Sequence, residues 1–222
     1  GRLLRSWDLT KATAGLKAES SDEDNAIKPV VCVEWNPSRS HHCLLAVVGT
    51  FVVVIATGTA GKHDAETTEA ILFSAQKGGN VSSEKAGKAV KWTALQSSKN
   101  DRPVSSFDGL IGPVCALQTN REVVSVRWQS KGDYFVSVSP KAQSAAVLIH
   151  QLSKGNSQQP FSKSKGEAQL ACFHPNKPFL FVASQQHIRV YHLVKHIMVK
   201  RLSSGCRWRS SLYIHPTGTS LI

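Results

Sequence analysis

Acidic residues run out in the second half of this 222-residue chain. Residues 141–222 hold eleven Lys or Arg against one acid, Glu167, a balance of +10; residues 1–140 hold sixteen against fourteen. Paired cysteines are lacking too. The five cysteines, at 32, 43, 115, 172 and 206, give an odd count with no CxxC spacing. That leaves neither a thioredoxin-like motif nor a paired-cysteine zinc site. Apolar neighbours at Cys32 and Cys172 point to buried free thiols in a reducing compartment. No apolar run is long enough for a bilayer. The longest uncharged one, Cys43 to Gly58, has a central glycine and ends in turn residues, as a pair of core strands would. No signal peptide is visible.

Catalytic signatures are missing as well. There is no GxSxG, no HExxH and no close pair of carboxylates in an apolar setting. The expectation is a non-enzyme without cofactor or metal. Two false signals need separate treatment. Phe51 to Gln76 runs from an apolar strand through TGTAGK into a helix-tolerant stretch, the layout of a phosphate-binding loop. Ala56 stands where that loop needs its first glycine, and His63 where it needs a magnesium-holding Ser or Thr. The bland alternative is a turn after a strand. His192 and His196 are four apart, as on a metal-binding helix, but Ile188 to Leu193 alternates like a strand and no acidic ligand is near. His174 and His215 each precede a proline at the same turn of two repeats, so they read as turn residues.

What the chain does contain is repetition. VVSVRWQSKGDYFVSVSP followed by AAVLIHQL is echoed by QLACFHPNKPFLFVAS followed by HIRVYHL. Trp128 and Phe173 occupy the same place 45 residues apart, and Ile214 in SSLYIHPTGTSLI takes it 41 residues further on. The next strand is expected six residues after each anchor, at Tyr134, Phe179 and Ser220. Short strands repeating at this period mark an all-β protein, a WD-repeat β-propeller. About three blades and two partial ones are covered, so a longer protein is expected.

In order, residues 1–10 end a preceding blade and 11–28 form a solvated loop. Residues 29–58 are a blade: Val31, Val33 and Trp35 share one face, Asn36-Pro37 ends that strand, and LLAVV and FVVVIA follow as buried strands. Residues 59–120 read as a long, partly disordered insertion, in which Ala89–Leu95 and Val114–Leu117 can each add one strand. Residues 121–166 and 167–205 are blades, and 206–222 start another.

The single-sign charge of the second half attracts polyanions. Lys154, Lys163, Lys165, Lys177, Lys195, Lys200, Arg201, Arg207 and Arg209 lie in expected turns and strand ends, where they can contact nucleic-acid phosphates without reading sequence. All but Lys177 form the candidate RNA-binding set. Phe161 and Trp208, beside basic residues, are placed to stack on unpaired bases, although a core role suits Trp208 better. The competing reading is a solvated basic rim, or an adaptor for acidic peptides or phosphoproteins without RNA contact.

GDYFVSVSP, VLIHQLSKGNSQQPFSKSKG, FHPNKPFLFVASQQHIRVYHLVKHIMVKRLSSG and IHPTGTSLI resemble the block-of-proliferation family of WD-repeat ribosome biogenesis factors, as do GRLLRSWDL and VEWNPSRSHHCLLAVVG upstream. The core at 149–166 is far more specific than a generic WD repeat. The resemblance makes GRLLRSWDL a fourth strand of a preceding blade, where a generic reading of Trp7-Asp8 gives a third. It implies a seven-bladed propeller in a nucleolar and nucleoplasmic scaffold that is not an enzyme. Its implied partners are a pescadillo-like protein, a second WD-repeat assembly factor, pre-ribosomal RNA and the pre-60S particle, with no membrane. Its implied task is pre-rRNA processing and maturation of the large (60S) subunit.

Overall fold

Among the described residues, thirteen strands in three antiparallel sheets follow one another along the chain. The computed structural model describes Leu9, Thr13 and residues 28–38, 42–57, 90–95, 112–161, 168–203 and 211–222. The first sheet has the order β1-β2-β3-β5-β4, from β1 (Val30–Trp35), β2 (Cys43–Val48), β3 (Phe51–Ala56), β4 (Val90–Ala94) and β5 (Gly112–Thr119). The second runs β6 (Ser125–Trp128), β7 (Tyr134–Val138), β8 (Val147–Gln151), β9 (Asn156–Gln158). The third runs β10 (Ala168–Phe173), β11 (Phe179–Ser184), β12 (His187–His192), β13 (Ile197–Ser203). The first strands of the sheets adjoin in chain order, β1 against β6 and β6 against β10. A fourth unit begins where Ile214 pairs with Leu221, one residue beyond the expected Ser220. This is the blade succession of a WD-repeat propeller.

Burial explains the composition of the strands. Every residue of β2 and β3 is buried, so β-branched and apolar side chains fill both faces rather than alternating with polar ones. One face of the first sheet packs on the second blade: Leu45, Val47, Val52, Val54 and Leu117 meet Val126, Trp128 and Phe135. Phe135 is fully buried, worth roughly 1.5–3 kcal/mol in area removed from water. Val136, Val138 and Ile149 on the other face of the second blade meet Ala171, Leu180, Val182 and Tyr191 of the third. The third blade in turn packs Cys172, Ala183 and Ile188 on Leu212 of the fourth unit.

Residues 59–120 do more than separate blades. Both short apolar patches form strands: β5 pairs with β3 along its whole length, and β4 pairs outside β5. Val114 to Leu117 are buried because they close both faces of the first blade. The phosphate-loop lookalike beyond Thr57, and the rest of the insertion apart from 90–95 and 112–120, lie outside the described residues. The expected strand at 1–10 is described only at Leu9, which is helical: the Thr13 hydroxyl donates to its carbonyl oxygen at 3.0 Å, one helical turn back. Leu9 packs on the outer face of the first sheet beside Leu44 and Phe51.

Val31, Val33 and Trp35 share a face as their alternation requires, but that face is open, with Trp35 65% exposed. It is turned away from the second blade, and no described element covers it.

One turn recurs in all four units and accounts for the residue that follows each anchor. The side chain of Asn36, Gln129, His174 or His215 accepts the backbone N–H two residues on, from Ser38 (2.8 Å), Lys131 (2.9 Å), Asn176 (3.1 Å) and Thr217 (3.3 Å). Asn, Gln and His are interchangeable here because each offers an acceptor at the right reach. The two histidines before proline are therefore turn residues. The same turns latch neighbouring blades. Asn36 Nδ2 donates to the Gly132 carbonyl at 2.8 Å, and Ser130 Oγ to the Pro175 carbonyl at 2.7 Å. Gly132, at φ +81°, lies so close to Asn36 that an added Cβ would stand 2.2 Å from Oδ1, and Gly218 approaches the His174 ring in the same way.

Candidate nucleic-acid interface

The basic candidates fall on two parts of the surface. Lys154 sits in the exposed turn between β8 and β9, and Lys195 in the matching turn between β12 and β13. Both turns join the third strand of a blade to the fourth, so they share one end of the propeller with Lys131 and Lys177. Lys200 and Arg201 lie exposed on β13, the outermost strand of the third blade. Lys163, Lys165, Arg207 and Arg209, with Trp208, lie outside the described residues.

Local chemistry keeps the field positive. Asp133 is the single acid among the described residues from 125 onward. Its carboxylate accepts hydrogen bonds from Gln151 Nε2 (2.9 Å), the Ser153 amide (2.9 Å) and Ser153 Oγ (3.0 Å). It is thus occupied in holding the turn that presents Lys154. The β12–β13 turn is held by His192, whose Nδ1 accepts the Lys195 amide at 3.4 Å, and by His196 at φ 54°. His192 ends a strand and His196 belongs to a turn, so helical spacing does not apply to them. No cluster of potential metal ligands occurs among the described residues.

The register of β12 on β13 adds a residue that the sequence reading passed over. Arg189 is the direct cross-strand partner of Arg201. Like charges placed opposite each other on a sheet repel, and no ion pair among the described residues engages either guanidinium. The Arg201 guanidinium also hydrogen-bonds His187 Nε2. Alternation along HIRVYH puts Arg189 on the face of Tyr191, but only the paired strands show that Arg201 stands opposite. Two uncompensated guanidiniums side by side favour an anion, above all a phosphate.

Phe161 does not offer a free ring. It stacks on Tyr191 at 3.6 Å between centroids with 22° between planes, closing the seam between the second and third blades. A base-stacking role is therefore corrected to a packing role.

Buried polar groups are structural. His150 is fully buried, with Nε2 2.8 Å from Ser137 Oγ and Nδ1 2.8 Å from Ser157 Oγ. Trp92 Nε1 of β4 donates to Ser157 Oγ at 2.8 Å. A neutral ring satisfies all three bonds in either tautomer, for instance with Ser157 O–H donating to Nδ1 and Nε2–H donating to Ser137. That imidazole is neutral, and burial pushes its pKa down to about 3. Arg127 of β6 bonds Glu34 of β1 (2.9 Å) and the Tyr213 hydroxyl (2.9 Å), tying the inner strands together. The thiols of Cys43, Cys115 and Cys172 are buried, Cys32 is half-buried, and none of the four is in a disulfide. Burial raises Cys172 to about 12 and raises Cys115 too, so neither is a nucleophile. Among the described residues, no helix is long and apolar enough to cross a membrane.

No protein-family model matches the chain. Individual relatives do. The chain is 40% identical over 190 residues to the "Ribosome biogenesis protein BOP1 homolog" of Anopheles gambiae, covering 86% of this chain and 21% of that protein. It is 40% identical over 221 residues to the Culex quinquefasciatus protein of the same name, covering 100% and 24%. The "Ribosome biogenesis protein ERB1" of Saccharomyces cerevisiae (strain YJM789) is 36% identical over 241 residues, covering 99% and 29%. The chain thus spans about a quarter of the length of the curated relatives it matches. With blades of the expected kind and similarity along nearly all of its length, this sequence belongs to the block-of-proliferation family of ribosome biogenesis proteins.

Proposed function

We propose that the protein is a non-enzymatic scaffold in ribosome biogenesis, which uses the basic sector of its propeller to hold pre-ribosomal RNA. Its relatives' names support the ribosomal setting. The observation that carries the RNA reading is the Arg189–Arg201 pair on the outer strands of the third blade, facing no acid among the described residues. Lys200 on the same strand, and Lys154 and Lys195 in the adjoining turns, extend the positive surface. Such contacts bind the phosphate backbone and leave sequence to other parts of the particle. In this reading the protein acts in pre-rRNA processing and 60S maturation, in the nucleolus and nucleoplasm. Its partners on the pre-60S particle include a pescadillo-like protein and a second WD-repeat assembly factor.

The test is affinity purification of the full-length protein with and without ribonuclease, beside binding of purified protein to structured RNA at several salt concentrations. Large-subunit precursor RNA should copurify, and binding should weaken steeply with salt. Reversing charge at Arg189, Lys200 and Arg201 should lower both. Unchanged recovery of precursor RNA by that variant sinks the RNA reading. Binding of an acidic peptide by protein that shows no affinity for RNA would favour the adaptor reading.

A further inference from the structure

A second cationic feature lies away from these residues, between the first two blades. A cavity of about 330 Å³ is lined by Thr119 at the end of β5 and Arg121 in the link to β6, and by Ser139, Lys141 and Gln143 in the link between β7 and β8 and Leu148 of β8. Both links lie at the opposite end of the propeller from the Lys154 and Lys195 turns. Three properties separate this cavity from an ordinary surface hollow. Ser139 is 3% exposed, and its Oγ has no hydrogen-bond partner among the described residues. A buried hydroxyl with nothing to bond is costly, and calls for a ligand or water. Gln143 holds φ 49° and ψ −111° at the break in the short 3-10 helix Pro140–Ala145, a strained conformation for a residue with a side chain. Arg121 and Lys141 are exposed at the mouth and no ion pair among the described residues engages either, while the neighbouring Glu122 is taken up by Lys28 at 3.4 Å.

We propose that this cavity is a binding site for a phosphoryl group carried on a partner protein, as on phosphoserine. Two cations suit the two charges of a phosphomonoester, and rotation of the Ser139 side chain, which lines the cavity, can turn its unpartnered hydroxyl to such a group. The hydroxyl is a neutral donor, so it adds direction without adding charge. A nucleic acid is the poorer match. Its phosphodiesters each carry one charge and come in a row, whereas the described cations here form a single pair at the mouth of one hollow rather than a track. The site is independent of the Arg189–Arg201 sector, so either can fail without the other.

The experiment uses the full-length protein, immobilised, and three probes: a degenerate phosphoserine peptide pool, the same pool unphosphorylated, and single-stranded RNA with a 5′-hydroxyl. The phosphorylated pool should be retained at least tenfold over its unphosphorylated twin and be displaced by millimolar inorganic phosphate. Arg121→Ala and Lys141→Ala, both at exposed positions that leave folding intact, should each lower that retention several-fold without altering RNA retention. Ser139→Ala should lower it too, with thermal melting run beside it to confirm the fold. Equal retention of the two pools overturns the proposal. So does loss of RNA retention in the Arg121 and Lys141 variants, which would assign the cavity to nucleic acid.

Discussion

Acidification should destabilise this protein through one buried histidine. His150 has a folded pKa of about 3, set by burial alone, against an ordinary value of 6.5. A depressed histidine binds protons more readily in the unfolded chain, so its contribution is fully present above the unfolded pKa and lost as pH falls from 6.5 towards 3. At pH 4.5 the unfolded histidine is almost wholly charged and the folded one almost wholly neutral. Linkage then gives a loss of roughly 2.5–3 kcal/mol relative to pH 7.5, a large share of the stability of a typical domain. The surroundings offer no relief. The ring meets Ser137, Ser157, Trp92 and Phe135, none of them charged. The assay is urea unfolding followed by tryptophan fluorescence at several pH values. His150→Gln, which keeps a polar group but cannot titrate, isolates the effect from the other histidines and the carboxylates. It should cost stability at pH 7.5 but flatten the slope between pH 7.5 and 4.5 by the stated amount. The same slope in variant and parent would refute the neutral, network-bound imidazole.

Three further outcomes follow from named contacts. Gly132→Ala should lower stability by about 1–3 kcal/mol, because it strains a positive-φ position and drives Asn36 from the latch between the first two blades; Gly132→Ala matching the parent in urea would mean that the latch is slack. Trp92→Phe should cost about 1–3 kcal/mol by leaving Ser157 without its indole donor, and should weaken the attachment of β4, read as faster hydrogen exchange in residues 90–94. In thiol labelling of the native protein at pH 8, Cys115 and Cys172 should stay unmodified until denaturant is added, whereas Cys32 should react sooner; equal rates would show that the blades open readily.

The propeller was legible because its repeats carry their own punctuation. Anchors at Trp128, Phe173 and Ile214, polar turns after them and runs such as FVVVIA follow from local physics: period-two burial, β-branched cores and turn residues that cap their own backbone. Local pattern also found the short patches that became β4 and β5. It could not show that β5 inserts between β3 and β4, since strand order is chosen by which edge is free and which faces need covering. It likewise left Trp92 in an apparent insertion, far in sequence from the Ser157 that receives its indole proton.

Charge shows the same division. The excess of Lys and Arg after residue 140 is a property of the sequence, and with it the attraction to polyanions. Which cations act together is decided by register: Arg189 and Arg201 are twelve residues apart in the chain and directly opposed across two strands. Phe161 shows the converse, an aromatic beside lysines that packing spends on Tyr191. Sequence alone thus determined the repeat, the blade-forming strands, the sign of the field and the family. The tertiary structure decided strand order, cationic pairing and the burial of His150, because each depends on contacts between residues that only folding brings within a few ångströms.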